Sequence, residues 1–281
     1  MDCVRRFPFF FLGFRDFQDS LEALAEPLAG LCCLPLEEGK EPRKGETFLC
    51  KAGTIRKAPE GEKFFPVFAQ EPERLGFSPA QGAFHLALGS TRARVYPKRG
   101  EADLDLDPAD FRGRPPWRKR RFLTDLILCF LADRIAFSLH GSLLSKGGEG
   151  LFLAAPRMAG KTTFALSLLE SGWSLHSDDY CLIRSPGSTP LVSGLRRVVH
   201  LAPDTAKRFE GLVEKRLGIT NLSGEKEGVI LKAGGDVFLR EVPVRRILFL
   251  ERHGDEESSW EPVLVRDALP LLLEQTLALD S

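Results

Sequence analysis

Apolar residues before position 110 fall in short segments separated by turn formers. TFLCKAGTIRK (47–57), KFFPVFA (63–69), AFHLALG (83–89) and ARVYPK (93–98) read as strands. The run from Phe7 to Phe14, interrupted by Pro8 and Gly13, reads as a buried strand, or else as an interface or membrane-contacting edge. It is far shorter than the roughly 20 residues a membrane-crossing helix needs. Between Asp16 and Leu34, the spacing of Leu21, Leu24 and Leu28 predicts one helix.

The character of the chain changes at 101–121. EADLDLDPAD (101–110) is acidic, RGRPPWRKRR (112–121) is basic, and Pro115 and Pro116 lie between them. This break reads as a solvated linker leading into a helix. It predicts a β-rich accessory region over 1–115 and a second domain over 116–281. Phe122, Leu126, Cys129 and Phe130 predict an amphipathic helix over 117–133. Its basic start sits where the helix dipole disfavours cations, which a phosphate or an acidic partner would compensate.

From Ile135 strands and helices alternate. IAFSLHGSLLS reads as one strand, KGGEG as a tight turn and GLFLAAP as a second strand. A helix is predicted over Thr162–Ser171, with Gly172 placed for its C-cap. WSLHSDDYCLIR then reads as strand, acidic break, strand. Further elements are expected around Pro203–Val213 (helix), Arg245–Leu250 (strand) and Asp267–Leu279 (helix). This alternation predicts an α/β core.

Composition narrows the function classes. Lys+Arg and Asp+Glu are both 39, so the net charge of zero argues against a generic nucleic-acid or membrane-surface binder. Cys3, Cys32, Cys33, Cys50, Cys129 and Cys181 contain no CxxC pair, and the adjacent Cys32 and Cys33 suit joint metal ligation poorly. With no secretory leader and no transmembrane segment in the sequence, reduced thiols in a cytoplasmic protein are expected. The five histidines form no zinc motif.

The segment Ala155, Pro156, Arg157, Met158, Ala159, Gly160, Lys161, Thr162 and Thr163 carries the candidate chemistry. A phosphate-binding loop needs inward-pointing backbone N–H groups, a lysine for the β and γ phosphates and a hydroxyl for Mg²⁺. Gly160, Lys161 and Thr162 supply the last three positions of G-x-x-x-x-G-K-[ST], at the expected start of a helix. Ala155 stands where the first glycine belongs. Alanine in a left-handed conformation costs about 1 kcal/mol or more. Pro156 favours extended backbone at position 155, where that penalty vanishes. Asp178 and Asp179 follow a strand within reach of Lys161. Adjacent side chains diverge on extended backbone, so one carboxylate can face a metal and the other an acceptor. His140, at the end of a strand-like run, can orient a carboxylate or carry a proton.

The ordered combination HGSLLSKGGEGLFLAAPRMAGKTTFALSLLESGWSLHSDDYCLIR (140–184) resembles the catalytic core of the bacterial HPr serine kinase/phosphorylase superfamily. The resemblance extends less specifically through VPVRRILFLER (242–252). It implies an α/β fold, a P-loop HPr-kinase/PEP-carboxykinase-like core with a mixed β-sheet, preceded by a smaller β-rich N-terminal region. It implies Lys161 as the phosphate lysine, Thr162 as the Mg²⁺ hydroxyl, and Asp178 as general base assisted by His140. Asp179 becomes the acidic neighbour near the metal-bound nucleotide, helping Thr162 position Mg²⁺. Three departures point to a kinase-related branch rather than HPr kinase proper. Ala155 replaces glycine, Thr163 replaces a glutamate, and EKEGVILKAGG (225–235) is at most a remote counterpart of the family's glycine-rich segment. The expected activity is transfer of the ATP γ-phosphoryl group to a hydroxyl of a protein, a peptide or a small molecule, with ATP and Mg²⁺ bound. The alternative is a noncatalytic nucleotide-binding scaffold module. A homo-oligomer is an accompanying expectation.

Overall fold

Period-two burial organises the first half of the chain, which alternates inward apolar and outward polar side chains. A computed structural model describes residues 3–8, 10–17, 22–31, 33–35, 47–52, 55, 65–70, 73–133, 135, 137–156, 158–219, 226–232, 237–252 and 258–275. It forms two compact units, Met1–Ile135 and Ala136–Leu277, each α/β with mixed strand pairing.

The first unit contains β1 (Cys3–Arg6), β2 (Phe11–Arg15), α1 (Glu22–Ala29), β3 (Leu34–Pro35), β4 (Thr47–Ala52) and β5 (Phe65–Gln70). β6 (Glu73–Ser78), β7 (Ala83–Leu88), β8 (Thr91–Tyr96), β9 (Glu101–Asp105), α2 (Pro108–Gly113) and α3 (Pro116–Leu131) follow. The strands form one sheet in the order β3-β1-β2-β4-β9-β8-β7-β6-β5. β4 is parallel to both β2 and β9, and the other pairings are antiparallel. The Phe7–Phe14 run is divided between a turn and β2, and its Phe7, Phe10, Leu12 and Phe14 are buried. Phe48 packs against Phe130 of α3 with ring centroids 4.9 Å apart. Leu24 and Leu28 of α1 are buried as expected, whereas Leu21 lies outside the described residues.

Two expectations about the charged break need correction. Residues 101–105 are not linker but strand β9, with Ala102 and Leu104 fully buried. Three acidic residues conceal a clean alternation, and their outward side chains face opposite charge. Arg92 is registered with Asp105 and Arg94 with Asp103, while Lys51 Nζ lies 2.8 Å from Glu101 Oε1. The compact units also divide at Ile135 rather than at residue 115, because α3 packs on α1, β7 and β8. The basic start of α3 finds its acidic partner within the same unit. Glu26 of α1 receives Lys119 and the buried Arg120, each at 2.9 Å.

The second unit contains β10 (Phe137–His140), β11 (Ser142–Lys146), β12 (Glu149–Ala154), α4 (Lys161–Glu170), β13 (Ser174–Ser177) and β14 (Tyr180–Arg184). β15 (Leu191–Gly194), β16 (Val199–Leu201), α5 (Pro203–Arg208), β17 (Val213–Ile219), β18 (Glu227–Leu231), β19 (Val242–Phe249) and α6 (Val265–Glu274) complete it. The main sheet runs β10-β14-β15-β19-β12-β11-β13, and β16-β18-β17 form a small second sheet. Only β12 and β19 pair in parallel among the described strands of this unit. The KGGEG turn closes the β11–β12 hairpin with Gly147 and Gly148 at φ 62° and 84°, the paired left-handed geometry a two-residue hairpin favours.

IAFSLHGSLLS, read as one strand, is two strands at distant positions in the sheet. The break is Gly141, where an added Cβ would stand 2.1 Å from Phe152 Cζ and 2.7 Å from the Leu153 carbonyl oxygen. The helix expected over Pro203–Val213 ends at Arg208, and Val213 already belongs to β17. β18 occupies the middle of 225–235, whose residues 225 and 233–235 lie outside the described residues. The last helix spans Val265–Glu274, and residues 276–281 likewise lie outside. No helix among the described residues is long and apolar enough to cross a membrane. Cys33, Cys50, Cys129 and Cys181 are buried and form no disulfide.

Candidate active site

Strand register brings the predicted residues together. Leu143 of β11 pairs with Ser177 of β13, and His140 of β10 pairs with Tyr180 of β14, in one continuous antiparallel sense. The chain around Gly141 therefore passes the chain around Asp178 and Asp179. Gly141 N–H donates to the Asp179 carbonyl at 3.0 Å, and the flanking His140 and Ser142 are delivered to different carboxylates. On its other side Gly141 lies so close to β12 that a Cβ there would collide with Phe152 and the Leu153 carbonyl.

The loop between β12 and α4 supplies the cationic half. α4 starts at Lys161, preceded by Gly160 in the left-handed conformation at φ 93°, with open space where a Cβ would lie. Its first-turn N–H groups and dipole present a positive end at this point. Met158 is also left-handed, at φ 66°, and its side chain is exposed. Ala155 is buried and is not among the positive-φ residues, so it avoids the steric cost weighed above. Pro156 is exposed and Ala159 half-buried, and Arg157 lies outside the described residues. Thr163 sits in the first turn of α4, where its carbonyl accepts a hydrogen bond from Ser167 Oγ at 3.1 Å.

Asp178 gathers this half. Lys161 Nζ donates to the Asp178 carbonyl at 2.6 Å and lies 3.6 Å from its Oδ1. Thr162 Oγ1 donates to Asp178 Oδ2 at 2.6 Å, and Ser142 Oγ donates to Oδ1. Both Lys161 and Asp178 are buried. A buried ammonium and a buried carboxylate are tolerable here because each meets the other and further polar partners.

Asp179 has a separate set of partners. His140 Nε2 lies 3.3 Å from its Oδ1, and Arg196 Nη1 donates to Oδ2 at 2.8 Å. Burial pushes this carboxyl up, but Arg196, His140 and Lys161 together outweigh it and hold it well below the usual carboxylate range. The Arg196 guanidinium also lies 3.9 Å from the Tyr180 ring centroid. The structure thus places His140 beside Asp179, whereas the resemblance pairs it with Asp178. It likewise places Thr162 beside Asp178. Ser142 and Arg196 are site residues that sequence reasoning missed. Ser142 could have been found from its place two residues after His140. Arg196 carries no local signal, because β14 and β15 intervene before it returns to the acid pair.

No family model matches the chain. It is 34% identical over 135 residues to the HPr kinase/phosphorylase of Chlorobium luteolum, an alignment that covers 45% of this chain and 40% of that protein. The chain thus spans well under half the length of the curated relative it matches. Together with the α/β fold and its mixed sheets, this likeness associates the chain in broad terms with the HPr kinase/phosphorylase family.

Proposed function

We propose that this protein is an ATP-dependent kinase that transfers the γ-phosphoryl group to a hydroxyl of a protein, a peptide or a small molecule. The observation that carries this reading is the convergence of Lys161 and Thr162, at a helix start, on Asp178. Backbone N–H groups of the 155–160 segment and Lys161 would bear the phosphate charge.

Mg²⁺ would be held at Thr162 Oγ1. Among the described residues no three His, Cys, Asp or Glu side chains group into a metal cage. That suits a cation that takes most of its ligands from phosphates and water and few from protein. Mg²⁺ supplies charge neutralisation between the phosphates when bound.

In this reading Lys161 and Thr162 turn from Asp178 to the nucleotide, which frees Asp178 Oδ2 to accept the acceptor proton while Ser142 Oγ stays on Oδ1. Asp179 stays the acidic neighbour, kept ionised and fixed by Arg196 and His140. A carboxylate held that firmly in its charged form is a weak base, which leaves proton acceptance to Asp178. The test is Asp178→Asn, with γ-phosphate transfer and Mg-ATP binding measured side by side. Transfer should fall by about 10²-fold or more while affinity stays within about threefold. Unchanged turnover would overturn the assignment.

The second reading, a nucleotide-binding module without transfer, draws on Ala155 and Thr163 at positions where the resemblance expects glycine and glutamate. It predicts saturable Mg-ATP binding with no phosphate transfer to hydroxyl, peptide or protein acceptors.

A further inference from the structure

A second concavity in the same unit holds none of the residues proposed above to bind nucleotide or move a proton. It encloses about 170 Å³ and is walled by Leu169, Trp173, Leu175, Val199, Leu231 and Phe238. These apolar side chains come from the end of α4, β13, β16, β18 and the turn at Val237–Leu239. An apolar cavity of about 150 Å³ suffices for benzene, so the space fits a single six-membered ring.

The charged part of the wall is one-sided. Arg197 and Lys232 both line the cavity. Arg197 lies over the Phe238 ring, 4.3 Å from its centroid, which fixes the guanidinium beside the apolar wall. Among the described residues its carboxylate partner is Glu214, whose Oε2 lies 3.6 Å away, beyond hydrogen-bond reach, and Glu214 is itself half exposed. Arg197 Nε is buried without an acceptor. A guanidinium that lines a ring-sized apolar space and whose ion pair with Glu214 is longer than a hydrogen bond matches the fork geometry of a carboxylate. His176 adds no competing charge at neutral pH. Burial brings its imidazole down to about 4, and its Nε2 is engaged with Ser145 Oγ at 2.8 Å.

We propose that this cavity binds a small aromatic carboxylate, its ring among Trp173, Leu175 and Phe238 and its carboxylate on Arg197. The site is independent of phosphoryl transfer, so either proposal can fail without the other.

Trp173 gives a direct signal, because the chain has only two other tryptophans, Trp117 and Trp260. In the full-length Trp117→Phe/Trp260→Phe protein, benzoate should change Trp173 fluorescence saturably. Benzamide, isosteric but uncharged, should bind about tenfold more weakly, since one charge-assisted bidentate contact is worth about that factor. Arg197→Leu should weaken benzoate about tenfold and leave benzamide unchanged, and Arg197→Lys should fall between. Far-UV circular dichroism confirms folding of each variant. Absence of saturable binding, equal affinity for benzoate and benzamide, or an Arg197→Leu protein that binds benzoate normally would each overturn the proposal.

Discussion

Arg196 Nη1 lies 2.8 Å from Asp179 Oδ2 while its guanidinium covers the ring of Tyr180, so one side chain grips both residues that follow Asp178. The ion pair is largely buried, with side-chain exposures of 12% and 20%. Removing one partner from such a pair leaves an uncompensated charge.

Arg196→Met should therefore lower stability by about 3 kcal/mol at neutral pH. The folded state depresses the Asp179 pKa, so the pair's stabilisation is full above the unfolded carboxylate value near ~4 and is lost as pH falls through the lower folded value. Urea unfolding of wild type and variant should differ fully at pH 7 and converge in strong acid. Arg196→Lys should recover part of the loss. Equal midpoints at pH 7 would show that the contact contributes nothing.

His176 provides a second pH signature of the same sign, set at higher pH. Its folded pKa of about 4 lies below the ordinary 6.5, so the unfolded chain binds the extra proton between these values. Stability should be complete above about pH 6.5 and decline by about 3 kcal/mol in all as pH falls towards 4. In His176→Asn this decline should flatten. Unfolding midpoints at pH 7, 6 and 5 give the comparison, and parallel slopes would refute it.

Gly141→Ala should be severely destabilising, by about 3 kcal/mol or more, because the methyl would collide with the Phe152 ring and the Leu153 carbonyl. Gly211→Ala is the control. Its added Cβ meets nothing within 4 Å, and its cost should stay within about 0.5 kcal/mol. Thermal denaturation separates the two, and similar melting temperatures would contradict the packing at Gly141.

Ala155→Gly tests whether the altered loop is impaired. Ala155 is buried outside the left-handed region, so glycine relieves no strain. The variant should bind Mg-ATP within about threefold of wild type and lose about 1 kcal/mol of stability through backbone entropy and a lost buried methyl. A tenfold gain in affinity would mean that the alanine does obstruct the loop.

The local parts of this molecule were readable from the residues alone. The KGGEG hairpin, the glycine before Lys161 and the strand–acid pair–strand pattern each have a cause within a few positions, and each formed where expected. Long-range parts were not readable. Arg196 reaches Asp179 only because Cys181 pairs with Gly194, a register no short pattern encodes. His140 meets Asp179 rather than Asp178 because the chain crosses the acid pair antiparallel, which settles which neighbour faces which. β9 was missed for another reason. Counting its acids as a charge run hid the period-two burial of Ala102 and Leu104.

The parallel pairing of β12 with β19 carries a consequence for biosynthesis. β12 acquires its hairpin partner β11 at once, but the strand on its other side, Val242–Phe249, leaves the ribosome only after β13 to β18 have been made. Until then the strand leading into the lysine loop has one bare edge, a template for wrong partners. A nascent chain stalled before Val242 should hence be the species most dependent on chaperones, since distant pairings of this kind form late and slowly.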